Sequence, residues 1–83
     1  MKELRPGQIV GVGGRAYRVA RDPDAPPRIY CGQRDRFRLE EVPGGGGIPL
    51  APDEQVRVGA AVYRVVAGED GASLRYLYVS GIE

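Results

Sequence analysis

Residues 8–19, QIVGVGGRAYRV, recur as residues 54–65, EQVRVGAAVYRV. Six of the twelve aligned positions are identical, at a constant offset of 46 residues. In each copy, valines alternate with small or polar residues before a glycine, which is the two-residue period of a half-buried strand. A second run rich in Val and Tyr follows. Each copy is therefore predicted to form a β-hairpin, with Gly13 and Gly59 where the turn needs a positive φ angle.

The similarity continues after the hairpins, since a turn-rich segment and a further extended run follow each of them. We therefore predict two related units, each a hairpin plus a strand, at residues 7–32 and 53–79 of a single domain (1–83). In the last strand of the second unit, the alternation predicts one shared face for Leu74, Tyr76 and Tyr78.

The two units are joined by residues 33–52. Within this segment, 36–42 is predicted to form one more strand or a single helical turn. The sequence PGGGGIP at 43–49 is predicted to be a flexible loop without a regular element, because Gly and Pro interrupt both helices and strands.

The fold class predicted from these patterns is all-β. No segment has a long 3.6-residue period free of Pro and Gly, so we expect little helix. The two units are expected to close a small SH3-like barrel or to pack as a two-sheet sandwich, because long exposed strand edges promote aggregation. A chain of 83 residues buries a limited core, so contacts with other subunits would add buried surface.

Gly11, Gly13 and Ala16 fit the spacing G-x-G-x-x-G/A of a dinucleotide-binding loop. That loop functions only where it leads from a strand into a helix. Here β-favouring residues follow, and Pro23 stops any helix after about two turns. The second copy also replaces Gly11 by Arg57. We therefore interpret the glycines as hairpin residues and predict no nucleotide cofactor.

The composition argues against catalysis. The chain has no His and a single Cys, Cys31, so neither an imidazole-activated nucleophile nor a thiolate–imidazole metal site can form. We predict no enzymatic activity, no metal and no cofactor. No apolar run approaches the roughly 20 residues that span a bilayer, and the first residues lack the pattern of a signal peptide. A cytoplasmic protein without a membrane partner is expected.

Two groups of residues are candidates for contacts with partners. The first, interleaved with aromatic residues, could bind a phosphate backbone, and consists of Arg28, Arg34, Arg36 and Arg38. Acidic neighbours and a formal net charge of +1 favour a solvated strand face instead. The second group, Tyr76 and Tyr78, is the better candidate for a protein contact, because tyrosine is frequent at interfaces.

The stretch PGQIVGVGGRAYRV at 6–19, with the turn and strand that follow, resembles the C-terminal hairpin of the head–tail joining proteins of tailed phages. These are the lambda-type attachment proteins and the related stopper proteins. Similar elements recur at 55–59, 63–65, 69–71 and 74–79, so the resemblance covers about half of the chain. It implies a small β-barrel that assembles as a ring and acts through protein contacts, and it assigns no individual contact residue.

We therefore expect a non-enzymatic structural or assembly protein with protein partners. It would work as a homo-oligomer or ring, most plausibly in a phage virion as a head–tail joining, neck, tail or capsid-decorating protein. Two alternatives remain open from the sequence. One is a small barrel that binds nucleic acid through residues 28–38, and the other is a regulatory or inhibitory protein that docks on an enzyme.

Overall fold

A computed structural model describes residues 1–22 and 36–79, and all regular structure in these ranges is β-strand. The eight strands form two four-stranded sheets, with the orders β1-β6-β7-β8 (the first sheet) and β4-β3-β2-β5 (the second sheet). Their bounds are β1 Lys2–Leu4, β2 Ile9–Val12, β3 Arg15–Arg21, β4 Phe37–Val42, β5 Ile48–Pro49, β6 Gln55–Val58, β7 Ala61–Gly68 and β8 Gly71–Val79.

The all-β prediction is confirmed. The two sheets pack face to face, and in the described ranges no strand ladder joins one sheet to the other. Of the two predicted architectures, the sandwich is therefore the one observed. The same ranges hold no helix of the length and apolarity needed to cross a bilayer.

Both predicted hairpins form, and they share one register. Val10 pairs with Tyr17 in β2–β3, and Val56 pairs with Tyr63 in β6–β7. The first residue of each two-residue turn is the predicted glycine. Its φ angle is positive, 60° at Gly13 and 64° at Gly59. The residues after the first turn belong to β3 and not to a helix, which agrees with the rejection of a dinucleotide loop.

A tight turn leads into each hairpin at the same repeat position, RPGQ at 5–8 and APDE at 51–54. In both turns the backbone N–H of the fourth residue donates to the carbonyl of the first, at 3.1 and 3.2 Å. The third residue has a positive φ angle, 88° at Gly7 and 69° at Asp53. Proline at the second position and a positive φ at the third define a type II turn.

The short strands before these turns are exchanged between the units. β1 precedes the first hairpin but pairs in parallel with β6 of the second, with Leu4 beside Val58. β5 precedes the second hairpin but pairs in parallel with β2 of the first, with Ile48 beside Val10. Because the strand that precedes each hairpin pairs with the other hairpin, each sheet contains a strand from next to the other unit.

β5 corrects one expectation, because residues 43–49 were predicted to contain no regular element and Ile48–Pro49 form a short strand. The pairing continues at the next residue, where the N–H of Leu50 donates to the carbonyl of Gly11 at 2.8 Å. Proline is tolerated because β5 lies at the sheet edge and its missing N–H leaves no ladder position open.

β4 lies in the segment 33–52, outside the predicted unit 7–32, and pairs with β3 along Phe37–Val42. Because it extends the sheet of the first hairpin, we count it as the third strand of the first unit. Residues 36–42 were predicted to form a strand or a helical turn, and the structure has a strand there. The extended run predicted at 28–32 lies outside the described residues. The corresponding strand of the second unit is β8, joined to β7 by a turn of two residues, Glu69 and Asp70.

A β-bulge interrupts the pairing of β7 with β8. Tyr76 lies opposite Tyr63, whereas Tyr78 lies opposite Val62, so Leu77 is an extra residue. Since neighbouring residues of β7 point to opposite faces, the bulge moves Tyr78 away from the core face. The predicted shared face of Leu74, Tyr76 and Tyr78 is therefore wrong for Tyr78, which is 47% exposed.

The core between the sheets is built mainly from equivalent positions of the two copies. Full burial of each such side chain stabilises the fold by about 1.5–3 kcal/mol. These buried pairs are Leu4 and Leu50, Val10 and Val56, Val12 and Val58, Tyr17 and Tyr63, and Val19 and Val65.

Candidate functional site

On the outer face of the second sheet, two arginines share one carboxylate. Arg18 of β3 lies directly opposite Glu40 of β4, and the two form an ion pair. Arg38 lies 3.3 Å from the other carboxylate oxygen of Glu40. The hydrogen bond and charge of Arg18 lower the pKa of Glu40, so this carboxylate stays ionised beside its two arginines.

The outer face of the first sheet differs at the equivalent position. Arg64, which follows Arg18 by the repeat offset of 46 residues, lies directly opposite Arg75 of β8. Neither guanidinium forms an ion pair with a described residue. Like charges opposite each other on neighbouring strands destabilise a sheet. In the described part of the chain, the second unit thus has a pair of cations without a carboxylate partner where the first unit has an ion pair.

Exposed apolar side chains flank this arginine pair. Val66 is 38% exposed and Tyr78 47% exposed, and in the described ranges the only other large hydrophobic residue so exposed is Met1. Strand pairing places Val66 beside Ser73 on one side of the arginines and Tyr78 beside Val62 on the other. We define the docking face as Arg64, Val66, Ser73, Arg75 and Tyr78. Tyrosine and arginine are enriched among the residues that dominate binding energy at protein interfaces.

The structure brings Tyr78, but not Tyr76, to the docking face. Tyr76 packs against the core, with its ring edge-on to Tyr63 at a centroid distance of 5.9 Å. The guanidinium carbon of Arg36 lies 3.8 Å from the centroid of the Tyr76 ring. This cation–π contact places Arg36 against the same ring.

The predicted arginine group is only partly described, since Arg28 and Arg34 lie outside the described residues. The two described members contact different groups of the chain itself. Arg36 stacks on the Tyr76 ring, and Arg38 is paired with Glu40 on the outer face of the second sheet. Neither of the two belongs to the docking face.

Sequence reasoning missed Arg64 and Arg75 as a pair. Arg64 is visible in the repeat, because it is identical to Arg18. What distinguishes the two arginines is the residue on the neighbouring strand, which is Glu40 in one unit and Arg75 in the other. The connections before these strands differ in length, so no constant offset aligns the two partners.

A shallow pocket of about 210 Å³ lies between the β2–β3 and β7–β8 turns, with Arg15, Tyr17 and Glu69 among its lining residues. Two of its polar groups already have partners in the fold: Arg15 pairs with Glu41 at 3.7 Å, and the Tyr17 hydroxyl accepts the N–H of Ala72. Among the described residues, no cluster of His, Cys, Asp or Glu could hold a metal ion.

Comparisons with protein-family models, with curated proteins and with solved structures found no match to this chain, and the function is therefore argued from the docking face.

Proposed function

We propose that this chain is a non-enzymatic assembly protein that acts through protein–protein contacts at the docking face. The observation that carries the proposal is the contrast between two equivalent positions, an ion pair on one outer face and the Arg64–Arg75 pair on the other. A partner that supplies carboxylates to Arg64 and Arg75 relieves a repulsion that the isolated fold retains.

The side chains around the arginines support a protein partner. Burial of the exposed parts of Tyr78 and Val66 removes apolar surface from water, which favours association. It also excludes water from the arginines, and charge–charge interactions are stronger where water is excluded. An apolar rim around a cationic centre is therefore suited to a protein surface that carries acidic groups.

The setting we propose is a particle in which several copies work together. The hairpin unit resembles that of the head–tail joining proteins of tailed phages, and on this basis we assign the chain to a phage virion, at the neck, the tail or the capsid surface. Subunit contacts would add to the limited core of a chain of this length.

The test is the oligomeric state of the purified full chain, measured by sedimentation velocity and native mass spectrometry over a range of concentrations. We expect a defined oligomer that the substitution Tyr78→Ser weakens, because the substitution removes apolar contact area. The control is Ala20→Ser, a change on the outer face of the second sheet, and it should leave assembly unaffected. A monomer at every concentration would contradict the proposal.

The candidate from a different class is nucleic-acid binding through residues 28–38. It has less support, because both described arginines of that segment contact groups of the chain itself, Arg36 the Tyr76 ring and Arg38 the Glu40 carboxylate. Retention on a heparin column with a steep salt dependence, lost in Arg36→Ala/Arg38→Ala and kept in Arg64→Ala/Arg75→Ala, would favour that function.

A further inference from the structure

The turn between β7 and β8 carries two carboxylates that lack a partner. Glu69 and Asp70 are exposed, and neither forms an ion pair with a described residue. The residues on either side are Gly68 and Gly71. The side chains of Arg15 and Tyr17 lie beside Gly71 on one side of the turn, while Glu69 and Asp70 themselves are exposed. The turn therefore presents two neighbouring anions on a narrow, accessible support.

These carboxylates cannot reach the arginines of their own hairpin. The pair Gly68–Gly71 closes the turn, and the pair Arg64–Arg75 lies four residue pairs further along the same two strands. At about 3.3 Å per residue, the separation along the strands is roughly 13 Å. Within the described part of one subunit, the two anions and the two cations thus form no ion pair, although all four lie on one hairpin.

We propose that the docking face of one subunit binds the Glu69–Asp70 turn of a second copy of this chain. This inference rests on the proposed function and names the partner of the same face. The spacing of the charges fits. Neighbouring residues in the turn have Cα atoms about 3.8 Å apart, and residues opposite each other on antiparallel strands have Cα atoms about 4.5–5.5 Å apart. Each arginine can therefore meet one carboxylate.

The contact joins two different surfaces, the docking face and the Glu69–Asp70 turn. Every subunit therefore binds the turn of one neighbour and inserts its own turn into the docking face of another. Such a head-to-tail contact repeats from copy to copy, and it closes into a ring or extends as a chain according to the rotation between subunits. The first unit does not offer a second acceptor of this kind, because Glu40 already neutralises Arg18. Assembly therefore has one direction.

The test uses two charge-reversal variants of the full chain. The face variant is Arg64→Glu/Arg75→Glu, and the turn variant is Glu69→Arg/Asp70→Arg. Each alone should raise the dissociation constant of the oligomer at least ~10-fold, because like charges then meet in every contact. An equimolar mixture should assemble again, since the acidic face of one variant accepts the basic turn of the other. A chain with all four reversals should also self-assemble.

Two further variants distinguish loss of the contact between subunits from loss of folding. Arg75→Glu alone places a carboxylate opposite Arg64, which preserves folding and removes the net charge of the pair, so it should also disperse the oligomer. Arg18→Glu/Glu40→Arg reverses the ion pair on the outer face of the second sheet and should leave assembly unchanged. Thermal unfolding confirms that each variant is folded.

The outcomes are distinct. A wild-type oligomer that the face variant weakens and the turn variant does not, or two weakened variants that fail to assemble when mixed, would overturn this inference and leave the proposed function standing. A wild-type oligomer that neither variant weakens would overturn both, because the face variant reverses the charges of the docking face. A wild-type chain that is monomeric at all concentrations would overturn both. Loss of heparin binding in the face variant, with assembly intact, would assign the arginines to a polyanion and would also overturn the inference.

Discussion

The hydroxyl of Tyr63 accepts a hydrogen bond from the backbone N–H of Phe37, at 3.2 Å, across the two sheets of the sandwich. Tyr17, the equivalent tyrosine of the first unit, accepts the N–H of Ala72 at 2.9 Å. Phe37 and Ala72 lie at the starts of β4 and β8, the third strands of the two units. Each tyrosine therefore joins its own hairpin to the third strand of the other unit.

Loss of the Tyr63 hydroxyl should destabilise the fold more than loss of the Tyr17 hydroxyl. Tyr63→Phe leaves a buried N–H without an acceptor, which costs about 1–3 kcal/mol of the free energy of unfolding. The hydrogen bond of Tyr17 is only partly buried, so water can replace the hydroxyl in Tyr17→Phe and the cost should be below ~1 kcal/mol. Urea denaturation of both variants measures this order, and the reverse order would contradict it.

The stability of the protein should fall at alkaline pH through Tyr63. Burial raises the pKa of Tyr63 above its ordinary value of 10.0. The unfolded chain has the ordinary pKa. The contribution of Tyr63 to the free energy of unfolding is therefore fully present below the pKa of the unfolded chain, and it is lost as the pH rises through the higher pKa of the folded state. Urea denaturation at a series of alkaline pH values should show the loss in the wild type. If Tyr63→Phe loses stability with rising pH as steeply as the wild type, Tyr63 is not the source of the loss.

Acid should destabilise the turn before the second hairpin, at residues 51–54, and not the equivalent turn before the first hairpin, at residues 5–8. The Glu54 carboxylate accepts the N–H of Ala51 at 2.9 Å, and this hydrogen bond lowers the pKa of Glu54 from 4.5. In the first turn Gln8, an uncharged amide, accepts the N–H of Arg5 at 3.0 Å. The contribution of Glu54 is present above pH 4.5 and is lost as the pH falls through its lower folded pKa.

Glu54→Gln should therefore reduce the loss of stability at acid pH, at a small cost at neutral pH from the lost ion pair with Lys2. Gln8→Glu is the matched variant and should add acid sensitivity at the first turn. Denaturation curves between about pH 3 and 7 compare the three proteins. The explanation fails if Glu54→Gln is as acid-sensitive as the wild type.

Within the glycine-rich loop, one glycine should tolerate substitution far less than another. Both Gly44 and Gly47 have φ angles near 90°, 93° and 90° respectively. A Cβ at Gly47 would lie 2.6 Å from the carbonyl oxygen of Ile9, whereas a Cβ at Gly44 would meet nothing within 4 Å. Gly44→Ala should cost about 1 kcal/mol for the left-handed backbone. Gly47→Ala adds a backbone clash and should cost about 3 kcal/mol.

The measurement is urea denaturation of both alanine variants. Equal effects would show that the loop is a flexible connection throughout, as the sequence predicts. A larger effect at Gly47 identifies the end of the loop, next to β5, as a close contact with β2.

Arg75→Glu should stabilise the isolated subunit. The substitution copies the Arg18–Glu40 pairing of the first unit onto Arg64 and replaces a repulsion by an attraction, for a gain of about 0.3–1 kcal/mol at low salt. Glu40→Arg changes the first unit in the opposite direction and should destabilise by more than this, because Glu40 pairs with Arg38 as well as with Arg18. Thermal unfolding at low and high salt checks both, since surface ion pairs weaken as salt rises. A salt-independent effect of either sign would contradict the electrostatic reason.

The β class, the two hairpins and their turn glycines could be predicted from the amino-acid sequence. These features are local: the two-residue alternation of valine defines the strand faces, and a glycine is required where φ is positive. The equivalence of Val10 and Val56, or of Tyr17 and Tyr63, can be recognised in the sequence because both copies bury the same side chains in one core.

Which strands lie next to each other could not be predicted from the sequence and follows from the packing of the two sheets. The exchange of β1 and β5, the choice of β4 as the third strand and the bulge at Leu77 depend on burial between two sheets and on connections of unequal length. Direct opposition of Arg64 and Arg75 follows from that pairing. Residues of one sheet face that are distant in the chain become neighbours only when the register is set, and the register is set by the core as a whole.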